Sequence, residues 1–413
     1  MRARTAIACS VADQGVAALT NILVLVVAAR LSTVADFARF STVYLVFTVL
    51  LGVSGAHTGQ PLVLRRGADD EVRGACRSAV AFTLLAAAAL GALLAAAGLP
   101  LPGATADALT ALGLVLPVVL GQDVVRYAFS ALHLPHLALA GDSLRLACAL
   151  GALGTQQHGT TAARLVMLWG LSALPALLLS AVLLHRRTAG APLRPGAPLR
   201  RGHLGRRFVV EFGVGNATSQ LSVLALGTVG NSLVVGALRG ATTLFGPLNV
   251  LFTSATGFGP PLLGRLPPRR RVRATAMLAA VLAAAAVLWA TALALLPDRI
   301  GRHLLGDTWP TAAALLPATG SQYAAMAVGT SGLLALRMLD PRTTLPIQVV
   351  FSLAAVAFLV GGHALAGVPG AAWGLCLGSV CKAVATWIRV ARLRRGGAGA
   401  PAPVSTDSVR PAS

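Results

Sequence analysis

The stretch His185–Arg207, HRRTAGAPLRPGAPLRRGHLGRR, decides how this chain is organised. It holds seven arginines, three prolines, four glycines and no acid. Proline and glycine at that density make a poor helix, so the stretch reads as a linker. About six strongly apolar segments lie on either side of it. The chain therefore reads as an all-α, polytopic membrane protein with about twelve transmembrane helices in two six-helix bundles. Residues 1–185 form the N-terminal bundle, 186–207 a basic cytoplasmic linker, 208–395 the C-terminal bundle and 396–413 a disordered tail rich in Gly, Ala, Pro and Ser.

Composition agrees. A chain of 413 residues that is 56% hydrophobic and 11% charged, with mean hydropathy +0.75, lies outside the range of soluble domains. A net charge of +21 would ordinarily suggest nucleic acid. Here the arginines cluster between apolar runs, where they face the cytoplasm and anionic lipid. Nucleic acid is excluded as a partner, and membrane lipids take its place. The five cysteines show no CxxC and no Cys/His spacing, so they read as small packing residues and no metal is expected. Arg2 and Arg4 precede the first apolar run without a cleavage site, which makes that run a retained helix.

In order, the spans fall near Thr5–Ala29, Phe40–Leu64, Ser78–Leu99, Ala108–Leu132, Leu134–Leu153 and Ala162–Leu184. After the linker come Phe208–Val235, Thr242–Leu263, Ala274–Leu296, Trp309–Leu336, Thr344–Ala366 and Gly370–Val390. With the N-terminus inside, the clusters Arg65–Arg77, Arg186–Arg207, Arg265–Arg273, Arg337–Arg342 and Arg389–Arg395 all lie on the cytoplasmic side, and both termini are cytoplasmic. The halves also echo one another. Asp13, Gly15 and Thr20 recur as Glu211, Gly213 and Thr218 at a constant offset of 198 residues, which suggests two lobes able to rock about a central cavity.

Charges within apolar spans are costly, so Asp13, Asp123, Arg126, Asp142, Arg145 and Glu211 are expected to face protein, a wet cavity or the interface. Asp123 with Arg126, and Asp142 with Arg145, are three residues apart and share a helix face. They read either as locally neutralised pairs or as groups that contact an anionic substrate or a gate. Asp13 and Glu211 are the candidates for ion coupling. Asn216, Ser219, Gln220, Asn231 and Asn249 make the second half open on a polar note, consistent with a hydrated lumen; Asn216 and Gln220 are substrate-binding candidates. Prolines within spans, such as Pro117, Pro247 and Pro317, can kink helices where neighbours shelter the freed backbone groups.

Two stretches carry a resemblance. ADQGVAALTNILVLVVAARLSTVADFARFSTVYLV (Ala12–Val46), with LVLRR after the second span, resembles the opening of polysaccharide and lipid-linked oligosaccharide flippases. PVVLGQDVVRYAFSALHLPHLALAGDSLR (Pro117–Arg145) resembles their fourth and fifth spans, with Gln122, Asp123, Arg126, Tyr127, Ala138 and Asp142 in the same order. These flippases share a superfamily with multidrug and toxin extruders and the peptidoglycan lipid flippase. The resemblance implies two bundles that alternately expose a central cavity, a polyprenyl-linked saccharide as cargo, and Arg126 and Arg145 meeting its pyrophosphate. Arg145 stands where such relatives often have an aromatic residue.

The expected function is therefore flipping of a polysaccharide precursor in the bacterial cytoplasmic membrane, with a polysaccharide polymerase or glycosyltransferases as partners. No enzyme activity and no cofactor are expected, since no phosphate loop, metalloprotease helix or catalytic triad stands in a suitable context. Two alternatives remain: cation-coupled efflux of small molecules, favoured by an acidic or apolar cavity, and a non-transporting scaffold for cell-envelope synthesis, favoured by a sealed interior.

Overall fold

The computed structural model describes residues 3–65, 67–98, 103–215, 241–242, 244–264, 266–305 and 309–397. Among these the secondary structure is helical, without a strand. Eight helical stretches are long and apolar enough to cross a membrane. The protein is an all-α, multi-pass membrane protein.

The first half comprises α1 (Ala3–Leu31), α2 (Val34–Ser54), α3 (Gln60–Val63), α4 (Asp69–Gly98), α5 (Ala104–Ala131), α6 (Pro135–Gly154), α7 (Ala162–Leu171) and α8 (Leu174–Thr188). Thr33 caps α2: its hydroxyl oxygen accepts from the Asp36 backbone N–H, and its O–H donates to the Asp36 carboxylate. A π-helical turn, Gly55–Gly59, joins α2 to α3, so the second span continues to Val63. The sixth span is two helices, α7 and α8, interrupted at Ser172–Ala173.

The N-terminal bundle is built around α5. In α5, 67% of the apolar window is buried within the protein, against at most 44% in the other seven most apolar stretches among the described residues. Its Leu112, Val115, Leu116 and Val119 meet Phe40, Phe47 and Trp169 from α2 and α7, and the Phe47 and Trp169 rings pack edge to face at 4.7 Å. The lipid-facing positions tell the opposite story: Leu85, Leu93, Met277, Val281 and Leu288 are exposed, as an apolar solvent permits.

In the second half, α9 spans 205–215, and α10 (Gly246–Leu263), α11 (Pro268–Ala294), α12 (Asp298–Leu305), α13 (Trp309–Leu339) and α14 (Thr344–Gly397) follow. The eleventh and twelfth spans both lie in α14, which reverses at Ala366–Gly367, where Gly367 takes φ 61°. At this reversal Gly362 and Gly370 press backbone to backbone: a Cβ on either would overlap the other's carbonyl oxygen. The helix α13 is the buried axis here, packed between α11 and α14. Helices α10 and α13 are not among the eight most apolar ones, being rich in Pro, Thr, Ser and Gly. Most of the seventh span, with Asn216 and Gln220, and the tail from residue 398 lie outside the described residues.

A second close crossing holds the first bundle together. Gly91 of α4 and Gly113 of α5 face each other so closely that a Cβ on either would strike the other's carbonyl oxygen. Backbone on both sides leaves nothing that can rotate away. Gly113→Val is therefore expected to cost about 3 kcal/mol or more, the upper range for overpacking. Thermal unfolding in detergent checks this, with Gly151→Val in α6, where a Cβ meets nothing, as the neutral control.

The linker lies against the ends of the helices. The Arg77 guanidinium donates to the Ala191 carbonyl at 2.6 Å, and the Arg194 backbone N–H donates to Ser78 Oγ at 2.9 Å. At its far end the Arg207 guanidinium donates to the Arg342 carbonyl. The first basic loop, the linker and the loop before the eleventh span therefore share one end of the molecule.

Candidate functional site

Between the two bundles lies a cavity of about 420 Å³. Helix α1 contributes Gln14, Thr20 and Asn21, α2 contributes Phe47 and Thr48, α5 contributes Asp123, Arg126 and Tyr127, and α6 contributes Asp142 and Arg145. The second half closes it with Phe212, Asn249 and Thr253. Among the described residues, most of its polar wall thus belongs to the first bundle.

The π turn makes room for part of that wall. Gly55 and Gly59 lie under the Tyr127 ring, and a Cβ on Gly59 would approach the ring to 2.7 Å. Tyr127 in turn carries the Arg126 guanidinium 5.7 Å from its ring centre. A local irregularity in α2 thereby sets a side chain of α5.

Arg126 is the hub of the charges. It pairs with Asp123 at 2.7 Å, as their spacing of three predicts, and with Asp142 at 3.8 Å. The local Asp142–Arg145 pair expected from the sequence does not form. Asp142 turns instead to Arg126 and to Gln122, whose Nε2 donates to it at 3.4 Å. The reason is geometric: α6 packs against α5 with Asp142 buried, which brings its carboxylate within reach of Arg126 and Gln122. Arg145 is left on the cavity wall with no ion pair among the described residues.

Asp13 is 0% exposed, and neither of its carboxylate oxygens accepts a hydrogen bond from a described residue. The charged groups that act on it are a second carboxylate, Asp142, and the Arg126 guanidinium already engaged by Asp123 and Asp142. Two carboxylates can hydrogen-bond only when one of them holds a proton. A charged, unbonded carboxylate in this position would be costly, so the geometry makes Asp13 a place where a proton can reside.

Glu211, its counterpart at the offset of 198 residues, has a different environment. The Arg337 guanidinium donates to it at 3.1 Å and the Thr344 hydroxyl donates to its other oxygen. Arg337 also sits 5.1 Å from the centre of the Phe208 ring. Arg337, expected among the topogenic charges, is also the counter-ion of a buried acid, its side chain 17% exposed. The two coupling candidates therefore part company, one neutralised and one not.

The sequence reading missed Lys382, the only lysine beside 33 arginines in this chain. It is half-buried within α14 and lies in the field of Arg337 and Glu211. The signal was available: where every other cation is arginine, a single lysine inside an apolar run stands out. Among the described residues no three His, Cys, Asp or Glu side chains converge to hold a metal ion.

No protein-family profile matches this sequence, and no curated protein matches it. Solved structures do. A MATE in a bent conformation aligns over 96% of this chain and 97% of its own, at 13% identity and TM-score 0.70. The fold is that of the MATE transporters. A mutant of a Vibrio cholerae MATE transporter covers 95% and 96% of the two chains at 13% identity and TM-score 0.72. An outward-facing multidrug resistance MATE family transporter of the MOP superfamily covers 94% and 95% at 12% identity and TM-score 0.68. At such identities the likeness concerns the fold. On the MATE fold, the cavity described above lies where the two bundles meet, and the Ser130 hydroxyl of α5 donates across that seam to the Gly257 carbonyl of α10 at 3.3 Å.

Proposed function

We propose that this protein exports small amphipathic organic molecules across a bacterial cytoplasmic membrane by proton-coupled alternating access, with the end bearing the basic linker in the cytoplasm. The observation that carries this reading is Asp13, a buried carboxylate with no hydrogen-bond donor among the described residues, facing Asp142 beside an interbundle cavity of about 420 Å³. That volume is of the size that holds a drug-like molecule. The guanidinium of Arg126 already sits between Asp123 and Asp142, which favours a proton over a metal cation as the coupling ion. The positive-inside rule supports the orientation, since three of the basic segments meet at one end. The likeness of the fold to multidrug MATE transporters points the same way.

Flipping of a polyprenyl-linked saccharide, in company with a polymerase or glycosyltransferases, is the second reading. Arg145, a guanidinium on the cavity wall without an ion pair, is the feature that favours it, because it can take a pyrophosphate. The two are separated in proteoliposomes under an imposed pH gradient. Fluorescent amphipathic dyes are offered in one set and a fluorescent polyprenyl-pyrophosphate saccharide in another. Dye accumulation that collapses with a protonophore is the expected result. Saccharide flipping without dye transport reverses the order of the readings, and movement of neither leaves a scaffold.

A further inference from the structure

The middle of the linker is held to the first bundle by a small histidine cluster. His203 packs its ring on His57 of the π turn, 5.3 Å between centroids and 62° between planes, and His57 leans on Phe82 of α4 at 5.4 Å. The next contact is backbone on backbone. Gly205 lies so close to the π turn that a Cβ there would overlap the His57 carbonyl oxygen. Its N–H donates to His203 Nδ1 at 3.2 Å. A ring nitrogen accepts a hydrogen bond only when it carries no proton, so this contact requires neutral His203 with its proton on Nε2.

Everything charged around the ring is positive. The π turn brings His57, the segment after α3 brings Arg65, and the start of α9 brings Arg206. On α4, Arg77 is engaged with the Ala191 carbonyl, and on α9 Arg207 is engaged with the Arg342 carbonyl. Burial first, then these neighbours, hold His203 below the usual imidazole range. The sign follows: the packed state favours neutral His203, so the contact is fully held above the ordinary imidazole pKa and is lost as the pH falls through the lowered one.

We propose that His203 is the protonation point of a latch: acidification on the linker side breaks the Gly205–His203 hydrogen bond, sets cation against cation at His57, Arg65 and Arg206, and frees residues 196–205 from the π turn. The consequence lies at the seam between the bundles. The linker is tied to the first bundle through Ala191 and Arg194 and to the second through Arg207, so its middle controls how much slack joins them. The π turn that receives the latch also supports Tyr127 at the cavity wall. A state of the linker therefore reaches the site through a shared turn.

The test uses full-length protein in lipid nanodiscs with the native cysteines replaced. Spin labels are placed at Leu199 and Asp70, both exposed, and distances are read by pulsed electron resonance at about pH 8 and about pH 5.5. In the parent, a longer-distance population should grow at least about threefold on acidification. His203→Gln keeps an acceptor for the Gly205 N–H and cannot be protonated at this pH, so it should hold the short distance at both values. His57→Phe keeps the ring packing and removes one cation, so it should need a lower pH to open. Identical distributions at both pH values in the parent would overturn the proposal. So would equal opening of His203→Gln and the parent.

Discussion

Asp13→Asn is expected to abolish uphill transport while leaving the fold intact. Asparagine keeps the shape and gives the buried site a donor for Asp142, but it cannot take up and release a proton. With an imposed gradient of about one pH unit, one-for-one exchange with a proton sustains about tenfold accumulation of the solute. The variant should return to a ratio of about one. Exchange of labelled for unlabelled solute, which needs the cavity and the rocking of the bundles but no net proton movement, should persist. The thermal midpoint should not fall, because the asparagine amide can donate to Asp142 in place of the protonated carboxyl, and no described residue donates to Asp13 in the parent. Uphill transport equal to that of the parent removes Asp13 from the coupling role. In that event Glu211 and Lys382 become the groups to examine, and Lys382→Met provides the parallel measurement.

Arg126→Met is expected to be the most destabilising single substitution at the site. It strips the cation from between Asp123 and Asp142, which are 8% and 5% exposed. Removing one partner of a buried ion pair costs about 3–5 kcal/mol, because the remaining charge is left uncompensated. The matching compensation is equally specific. Adding Asp123→Asn and Asp142→Asn to Arg126→Met removes the stranded charges and should restore most of the stability, leaving a large coupling energy in the cycle. Thermal unfolding in detergent at neutral pH reads the parent, Arg126→Met, the Asp123→Asn/Asp142→Asn double variant and the triple variant. A mild effect of Arg126→Met, with no recovery in the triple variant, means that the charges are solvated by the cavity and do not depend on one another.

These predictions rest on features that differ in how far the sequence reveals them. The Asp123–Arg126 pair is legible because three residues along one helix bring both side chains to one face. The same reasoning misplaces Asp142, since its partner is chosen by the crossing of α5 and α6 and not by the spacing within α6. Glu211 and Arg337 are 126 residues apart and meet only because α9 and α13 do. Periodicity carries no trace of that encounter. The glycines under Tyr127 and at the Gly91–Gly113 crossing are visible as small residues, but which backbone each one admits is a property of the packed helices.

What the sequence by itself determined is the all-α membrane character, a series of apolar runs long enough to cross a bilayer and the gathering of arginine between them. Each of these is a property of a short segment against its solvent. A run of about 20 apolar residues is stable in the bilayer whatever its neighbours are, and a cluster of arginines resists crossing it for the same reason. Only the tertiary structure decided that α5 is the axis of the first bundle, that Arg126 pairs with two acids, that Glu211 is neutralised, and that Asp13 faces a carboxylate with no hydrogen-bond donor among the described residues. Those outcomes depend on pairs of groups far apart along the chain, whose energies take effect only within a few ångströms, and that proximity is created by helix crossings.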